Sequence, residues 1–241
     1  DIVVVQDATA QQRAEQGARF LMSDLSHELR TPLAILLTHL EVLRLPALSA
    51  ETREQSLHLM QVEARRMSRL VNSLLELGRL ETSAEIEQRP VELLPLAEEV
   101  VAQVAPQAEE KSIRLSLHGD APLPPVVGDA DRLRQLLLIL LDNALKYSQA
   151  GADVTVRLDH SAEGVSCEVR DTGPGIPAEH LPYLTRRFYR ANQSETVPGS
   201  GLGLALAAEI LHRHGSQLMI ESRSEGEDTG TRVRFVLPVV R

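Results

Sequence analysis

The sequence predicts a multidomain chain of α and α/β class. An antiparallel helical hairpin, pairing with a copy of itself into a dimeric four-helix bundle, is followed by an α/β sandwich domain. Three observations predict this. Between Phe20 and Glu81 apolar residues recur at helical spacing in two long stretches, divided by the turn-like run Leu45-Pro46-Ala47-Leu48-Ser49. From Val91 onward the pattern changes to short alternating runs interleaved with helical ones, which group into a mixed sheet with helices on one face. The 241 residues are 43% apolar and only 2% aromatic, with no Trp, so a sizeable core can form and it is aliphatic.

Taken in order, the chain lacks an initiator Met and opens on Ile2–Val5, a β-branched run that reads as the last strand of something upstream. Thr9 with Gln12 fits a helix-capping box. Residues 1–19 are either a frayed terminus or a strand handing over to a signalling helix. The first long helix is expected over Phe20–Leu45. Pro32 removes one backbone donor and frees the carbonyl of Glu28, so it should bend this helix rather than end it. Ser49 and Thr52 can cap the second helix, expected from about Glu51 to Glu81. There Met60, Met67 and Leu74 fall seven apart and Leu70 and Leu77 fill the complementary positions, a heptad seam with Glu63 as its polar exception. Two amphipathic helices cannot bury both apolar faces alone; they either pack against the rest of the chain or pair with a second copy, and the homodimer is the expectation. The hairpin is assigned to residues 20–82, and Thr82–Pro90, polar and ending in proline, is read as a hinge.

The second domain, 90–241, is expected to begin with a strand near Val91–Leu93 and a helix over Pro95–Lys111. A strand through Ile113, Leu115 and Leu117 and a turn at Pro122–Pro125 come next. Asp129 should cap a helix over Ala130–Ser148. Strands Asp153–His160 and Gly164–Arg170, a helix over Leu202–His214, and strands Gln217–Ser222 and Arg232–Leu237 complete the fold.

A net charge of −9 argues against direct nucleic-acid binding, which needs clustered Lys and Arg. The single cysteine, Cys167, reads as a buried strand thiol and fits a reducing, cytoplasmic compartment for this fragment. No apolar run has membrane-spanning length, which leaves a sensor or an inner-membrane anchor to the segment upstream.

Several residues carry candidate chemistry. In FLMSDLSHELRTPLA, His27 is followed by Glu28, and Thr31 shares its helix face; an exposed histidine beside an acid and a hydroxyl can accept a phosphoryl group. Asn143, Lys146 and Tyr147 lie at i, i+3 and i+4 and so share a face, offering an amide oxygen for a metal, an ammonium for phosphate and a ring for a base. The run DTGPGIP follows a strand: Asp171 can accept from an exocyclic amine, and Gly173 and Gly175, ahead of Ile176, let the backbone approach a ligand. GSGLGL opens the Leu202 helix, where Gly199, Gly201, Leu202, Gly203 and Leu204 place backbone amides at a helix N-terminus, an anion site. Leu204 stands where G-x-G-x-x-G needs glycine, so a dinucleotide fingerprint is disfavoured, as is a Walker-type loop. The long loop between Tyr189 and Gly201 is a candidate lid, with Arg190 at its near end able to reach phosphate oxygens. His39, His58, His180, His212 and His214 have no metal-like arrangement and are expected at the surface.

These stretches together resemble the bacterial two-component sensor histidine kinases. SHELRTPLA is similar to their histidine box, DNALKYS to the asparagine box, DTGPGIP and GSGLGL to the two glycine boxes and RRFYRA to the phenylalanine box, in the same order. The D-x-T junction at Asp7–Thr9 likewise resembles the exit of a PAS sensor domain. The resemblance implies a dimerisation and phosphoacceptor hairpin, then an ATP-binding α/β sandwich of the type shared with DNA gyrase and MutL. It implies autophosphorylation of His27 from ATP with Glu28 as its hydrogen-bond partner and transfer to an aspartate of a response regulator receiver domain. It also implies regulator dephosphorylation aided by Thr31. Asn143 would bind Mg, Lys146 phosphate, and Tyr147 and Asp171 the adenine, while the glycines shape pocket and lid. One position departs from the family pattern: its first asparagine, four residues before Asn143, is Ile139 here, which implies fewer protein contacts to Mg. Two other classes stay open from the residues alone: a nucleotide-binding signalling scaffold without kinase turnover, and an ATP-hydrolysing clamp of the gyrase or MutL type.

Overall fold

The computed structural model describes residues 8–82, 87–119, 122–191, 199–226 and 228–240, with backbone only for 8–24, 27, 81 and 82. The chain divides into two compact units, Asp1–Asn72 and Ser73–Arg241.

The first unit is built on helices α1 (Ala8–Leu43) and α2 (Ala50–Thr82), the latter running on into the second unit. Pro32 lies inside α1 without ending it. The helix also starts well before Phe20 and already includes Thr9, which therefore does not cap it from outside; the expected strand Ile2–Val5 lies outside the described residues. Ser49 is the cap of α2: its hydroxyl accepts the Thr52 N–H at 3.1 Å and meets the Thr52 hydroxyl at 2.8 Å. The heptad positions of α2 face inward. Ser56 and Leu70 are buried and Met60, Glu63, Met67 and Leu74 partly so. Ser56 takes its polar partner from α1, with His39 Nδ1 at 3.3 Å from its hydroxyl. Large apolar side chains elsewhere on the pair stay uncovered, among them Leu33, Leu37 and Leu40 on α1 and Leu57, Val62 and Val71 on α2. A two-helix hairpin has one inner seam, so among the described residues of this unit a second apolar stripe on each helix stays uncovered.

The second unit pairs β1 (Arg89–Val91) with β3 (Val126–Gly128) and assembles the five-stranded sheet β2-β4-β5-β7-β6. These strands are β2 (Arg114–Gly119), β4 (Asp153–Ser161), β5 (Gly164–Asp171), β6 (Met219–Arg223) and β7 (Gly230–Leu237). β2 and β4 run parallel and all the other pairs antiparallel, the mixed sheet expected. Helices α3 (Leu93–Glu110), α4 (Ala130–Tyr147) and α5 (Gly203–Arg213) supply the apolar layer. Leu133, Leu136, Leu137 and Leu141 of α4 are essentially inaccessible, packed in one core with Val154, Val156 and Leu158 of β4, and Leu77 and Leu80 at the end of α2 belong to the same core. Phe235 is the fully buried aromatic among the described residues.

Other elements differ from expectation as well. The first strand falls at Arg89–Val91 rather than Val91–Leu93, because its partner is β3, three residues between Pro125 and Asp129 too short to show a period. A 3-10 helix at Ala178–Tyr183 was read only as loop. Asp129 caps α4, accepting from the N–H groups of Asp131 at 3.0 Å and Arg132 at 3.1 Å. His214, expected at the surface, is buried instead: Nε2 accepts the Asp129 N–H at 3.0 Å while Nδ1 donates to the Ile210 carbonyl at 2.7 Å. Both ring nitrogens are thus used, which fixes a neutral tautomer and ties the end of α5 to the start of α4.

Candidate active site

Three segments of the second unit meet at the C-terminal half of α4. Helix spacing sets Ile139, Asn143, Lys146 and Tyr147 along one side of α4. The start of α5 packs against that side: a Cβ added to Gly203 would sit 3.4 Å from Ile139 Cγ2 and 4.0 Å from Asn143 Nδ2. Gly199 lies against the Lys146 ammonium, closely enough that a side chain there would displace it. The Lys146 ammonium also lies 5.1 Å from the centroid of the Tyr147 ring, which is itself 38% exposed.

Asp171 ends β5, the central strand of the sheet, and is 9% exposed. Its Oδ1 accepts two backbone N–H groups, from Gly173 at 2.9 Å and from Thr231 at 3.2 Å. Burial pushes its carboxyl above the usual carboxylate range, and those two hydrogen bonds oppose the shift without cancelling it. A Cβ on Gly173 would meet Asp171 Oδ1 at 2.9 Å and the Tyr147 carbonyl at 3.2 Å, so the loop after β5 and the end of α4 touch there without room for a side chain. Burial likewise raises the Tyr147 hydroxyl, with the nearby Arg190 charge acting in the opposite sense.

The glycine stretches have strict backbone reasons. Gly175 has φ +70°, and a side chain there would collide with the Arg223 carbonyl of β6; the next amide, Ile176 N–H, donates to the Ser222 hydroxyl at 2.8 Å. Gly201, at φ +68°, abuts the backbone of Phe188, which itself adopts φ +62°. Leu202 is wholly buried, so it can offer a ligand only its backbone, and its N–H already points to the Ser200 hydroxyl at 3.4 Å. The helix proper begins at Gly203, one residue later than expected, and Leu204 packs partly into the core. Tyr189 turns to the 3-10 helix: its hydroxyl is 2.7 Å from His180 Nδ1 and its ring lies 5.5 Å from that of Tyr183. Residues 192–198 of the expected lid lie outside the described residues.

In the first unit, His27 lies on α1, and its side chain is outside the described residues. Thr31 is exposed, Pro32 is buried, and Glu28 is half-buried. Glu28 Oε2 lies 3.6 Å from the Arg66 guanidinium of α2. Sequence reading missed Arg66, and also Thr231 and Ser222, which brace the Asp171–Ile176 turn. Each acts across a distance in sequence that no local pattern reports.

The family model for the His Kinase A (phospho-acceptor) domain matches residues 18–83. The model for the histidine kinase-, DNA gyrase B-, and HSP90-like ATPase matches residues 128–241. The chain belongs to the sensor histidine kinases, and its second unit carries the ATP-binding domain of that family. It is similar to the sensor protein kinase PmrB of Pseudomonas aeruginosa, 38% identical over 93% of this chain and 46% of that protein. Among solved structures, full-length ShkA in complex with AMPPNP matches with a TM-score of 0.66 and 31% identity, over 91% of this chain and 45% of that one. The mycobacterial sensor histidine kinase MprB matches with a TM-score of 0.54 and 30% identity, over 63% of this chain and 97% of that one. The chain spans about half the length of the curated relatives it matches. Among the described residues no helix is long and apolar enough to cross a membrane.

Proposed function

We propose that this chain is the catalytic core of a sensor histidine kinase that transfers the γ-phosphoryl group of ATP to His27 and passes it on to an aspartate of a response regulator receiver domain. The observation that carries the reading is the convergence of the β5 turn and the α5 start on the C-terminal half of α4, in a chain whose α1 carries SHELRTP. Residues 20–82 are the dimerisation and phosphoacceptor hairpin, 90–241 the ATP-binding domain, and 1–19 the end of an upstream sensor domain and signalling helix. The uncovered Leu33, Leu37 and Leu40 stripe supports a homodimer.

In this reading the Asp171 carboxylate, with Oδ1 committed to two backbone amides, offers Oδ2 to the exocyclic amine of adenine. The Tyr147 ring covers the base, and Lys146, Arg190 and the amides from Gly199 to Leu204 hold phosphates. A neutral imidazole nitrogen of His27 attacks the γ-phosphorus; the N–P bond forms as the bond to the bridging oxygen breaks and ADP leaves. Glu28 accepts a hydrogen bond from the other ring nitrogen, fixing the tautomer and raising its basicity. Most of the rate comes from positioning. Mg fits the residues present in a limited way: Asn143 offers one amide oxygen, Ile139 offers none, and among the described residues no group of three or more His, Cys, Asp or Glu could hold a metal. That donor set suits a cation carried chiefly by phosphate oxygens and water, which would supply charge neutralisation at the phosphates. Thr31, exposed on the His27 face of α1, orients water for dephosphorylating the regulator.

Replacing His27 by Gln should abolish acid-labile labelling from γ-labelled ATP and leave nucleotide binding intact; labelling that persists in H27Q refutes the assignment. Ile139 favours a second reading, a nucleotide-binding scaffold without turnover, and binding with no γ-label incorporated by the parent chain would select it.

A further inference from the structure

Glu63 is a carboxylate in a seam of α2 whose neighbours are Met60, Met67 and Leu70. Its Oε2 is buried and has no hydrogen-bond partner among the described residues. Arg66, one turn on, brings NH1 to 3.8 Å from it. Arg66 in turn reaches across the hairpin, with NH2 at 3.6 Å from Glu28 Oε2 on α1. The three side chains are between 15% and 30% exposed, so water screens them only in part. A carboxylate in an apolar seam costs stability, and a Leu or Met there would pack better. What Glu63 does in return is hold a guanidinium between two acids, one on its own helix and one on the helix of His27. The planar guanidinium presents separate N–H groups to each, which a lysine ammonium does less well.

We propose that Arg66 is a positioning residue for phosphoryl transfer: it holds the Glu28 carboxylate through Oε2, with Glu63 anchoring Arg66 from behind. Glu28 follows His27 directly, so with Oε2 engaged by Arg66 the second oxygen, Oε1, serves the imidazole. Without the guanidinium a half-exposed glutamate samples several rotamers, and the fraction aligned with the ring falls. Arg66 touches neither nucleotide nor phosphoryl group; it acts through Glu28. The inference rests on the reading of His27 as the phosphoacceptor, and its test separates the two.

Single-turnover labelling from γ-labelled ATP is measured on the full chain for the parent, H27Q, R66M, R66K, E28Q and R66M/E28Q. R66M keeps the length and apolar stem of the side chain, and its helix content and mass in solution are compared with those of the parent; if either differs, R66Q takes its place. The expected result is a fall of about tenfold in the maximal rate of R66M with the ATP concentration for half-maximal rate unchanged, and partial recovery in R66K. In the E28Q background R66M should change the rate by less than about twofold, because two residues acting through one carboxylate do not add. Labelling of H27Q would overturn the phosphoacceptor assignment itself. With H27Q silent, a parent-like rate in R66M, or the same tenfold fall on top of E28Q, would overturn the role of Arg66.

Discussion

Replacing Asp171 by Asn separates what this side chain does for the fold from what it does for the ligand. In the native chain Oδ1 alone accepts the Gly173 and Thr231 amides, at 2.9 and 3.2 Å. An asparagine can present its single oxygen to the same two donors, so the brace between the end of β5 and the start of β7 survives. Its amide nitrogen then stands where Oδ2 was and sets a donor against the exocyclic amine of adenine. Leaving that pair unsatisfied in a 9%-exposed site costs about 3 kcal/mol, or roughly a hundredfold in ATP affinity. Stability should move the other way. Burial raises the Asp171 carboxyl, so the native state holds that proton more tightly than the unfolded chain does. A raised carboxyl pKa contributes nothing unfavourable below the unfolded value; it costs stability as pH rises through the usual carboxylate range toward the raised value, and that cost persists above it. Asparagine does not titrate. Relative to the parent, D171N should therefore gain stability as pH rises from about 4 through the raised carboxyl range, measured by urea unfolding without nucleotide. An ATP affinity equal to that of the parent, or a relative loss of stability as pH rises through that range, would refute this account of Asp171.

Four other outcomes can be checked. Gly175→Ala adds a methyl against the Arg223 carbonyl at φ +70°, and should lower the free energy of unfolding by about 1–3 kcal/mol and weaken ATP binding, as urea and nucleotide titrations would read. Ile139→Asn adds an amide oxygen one turn before Asn143 while removing an apolar contact with the α5 start; ATP affinity should rise a few-fold, about two- to tenfold, only when Mg is present, with about 1 kcal/mol of stability lost. Thr31→Ala should leave the labelling rate of His27 unchanged and slow dephosphorylation of the regulator, and equal dephosphorylation rates would leave Thr31 a structural role alone. Ser49→Ala removes the hydroxyl that accepts the Thr52 N–H and should cost about 1 kcal/mol in urea unfolding.

Much of the architecture was legible because it rests on local patterns. The period of Met60, Met67 and Leu74, the Asp129 cap and the alternation in β4 and β5 each report their element within a few residues. The Asn143, Lys146 and Tyr147 face could be placed for the same reason: helix geometry alone aligns them. What stayed hidden was set by pairing across the chain. β3 is a strand only because β1 lies beside it, and no three-residue run announces its partner. His214 looked like a surface residue because nothing near it in sequence names the Asp129 amide, 85 positions away, as its donor. Arg66 carries no local signal either, since what marks it is Glu28 on α1. The left-handed backbone of Phe188 is invisible in its residue type, since non-glycine residues rarely adopt it; only the contact with Gly201 accounts for it.

Cys167 has a practical consequence. It is the only thiol in the chain, it lies fully buried in β5, and burial pushes its ionisation far above neutral pH. Maleimides and methanethiosulfonates attack thiolates they can reach, so the native protein is silent toward them. A cysteine introduced at an exposed polar hairpin position such as Arg65 or Asn72 then takes up one spin label or fluorophore per chain, with no native thiol to remove first. If two copies associate through the hairpin, that one substitution yields two probes related by symmetry, and a single pulsed dipolar or energy-transfer measurement gives the distance between them.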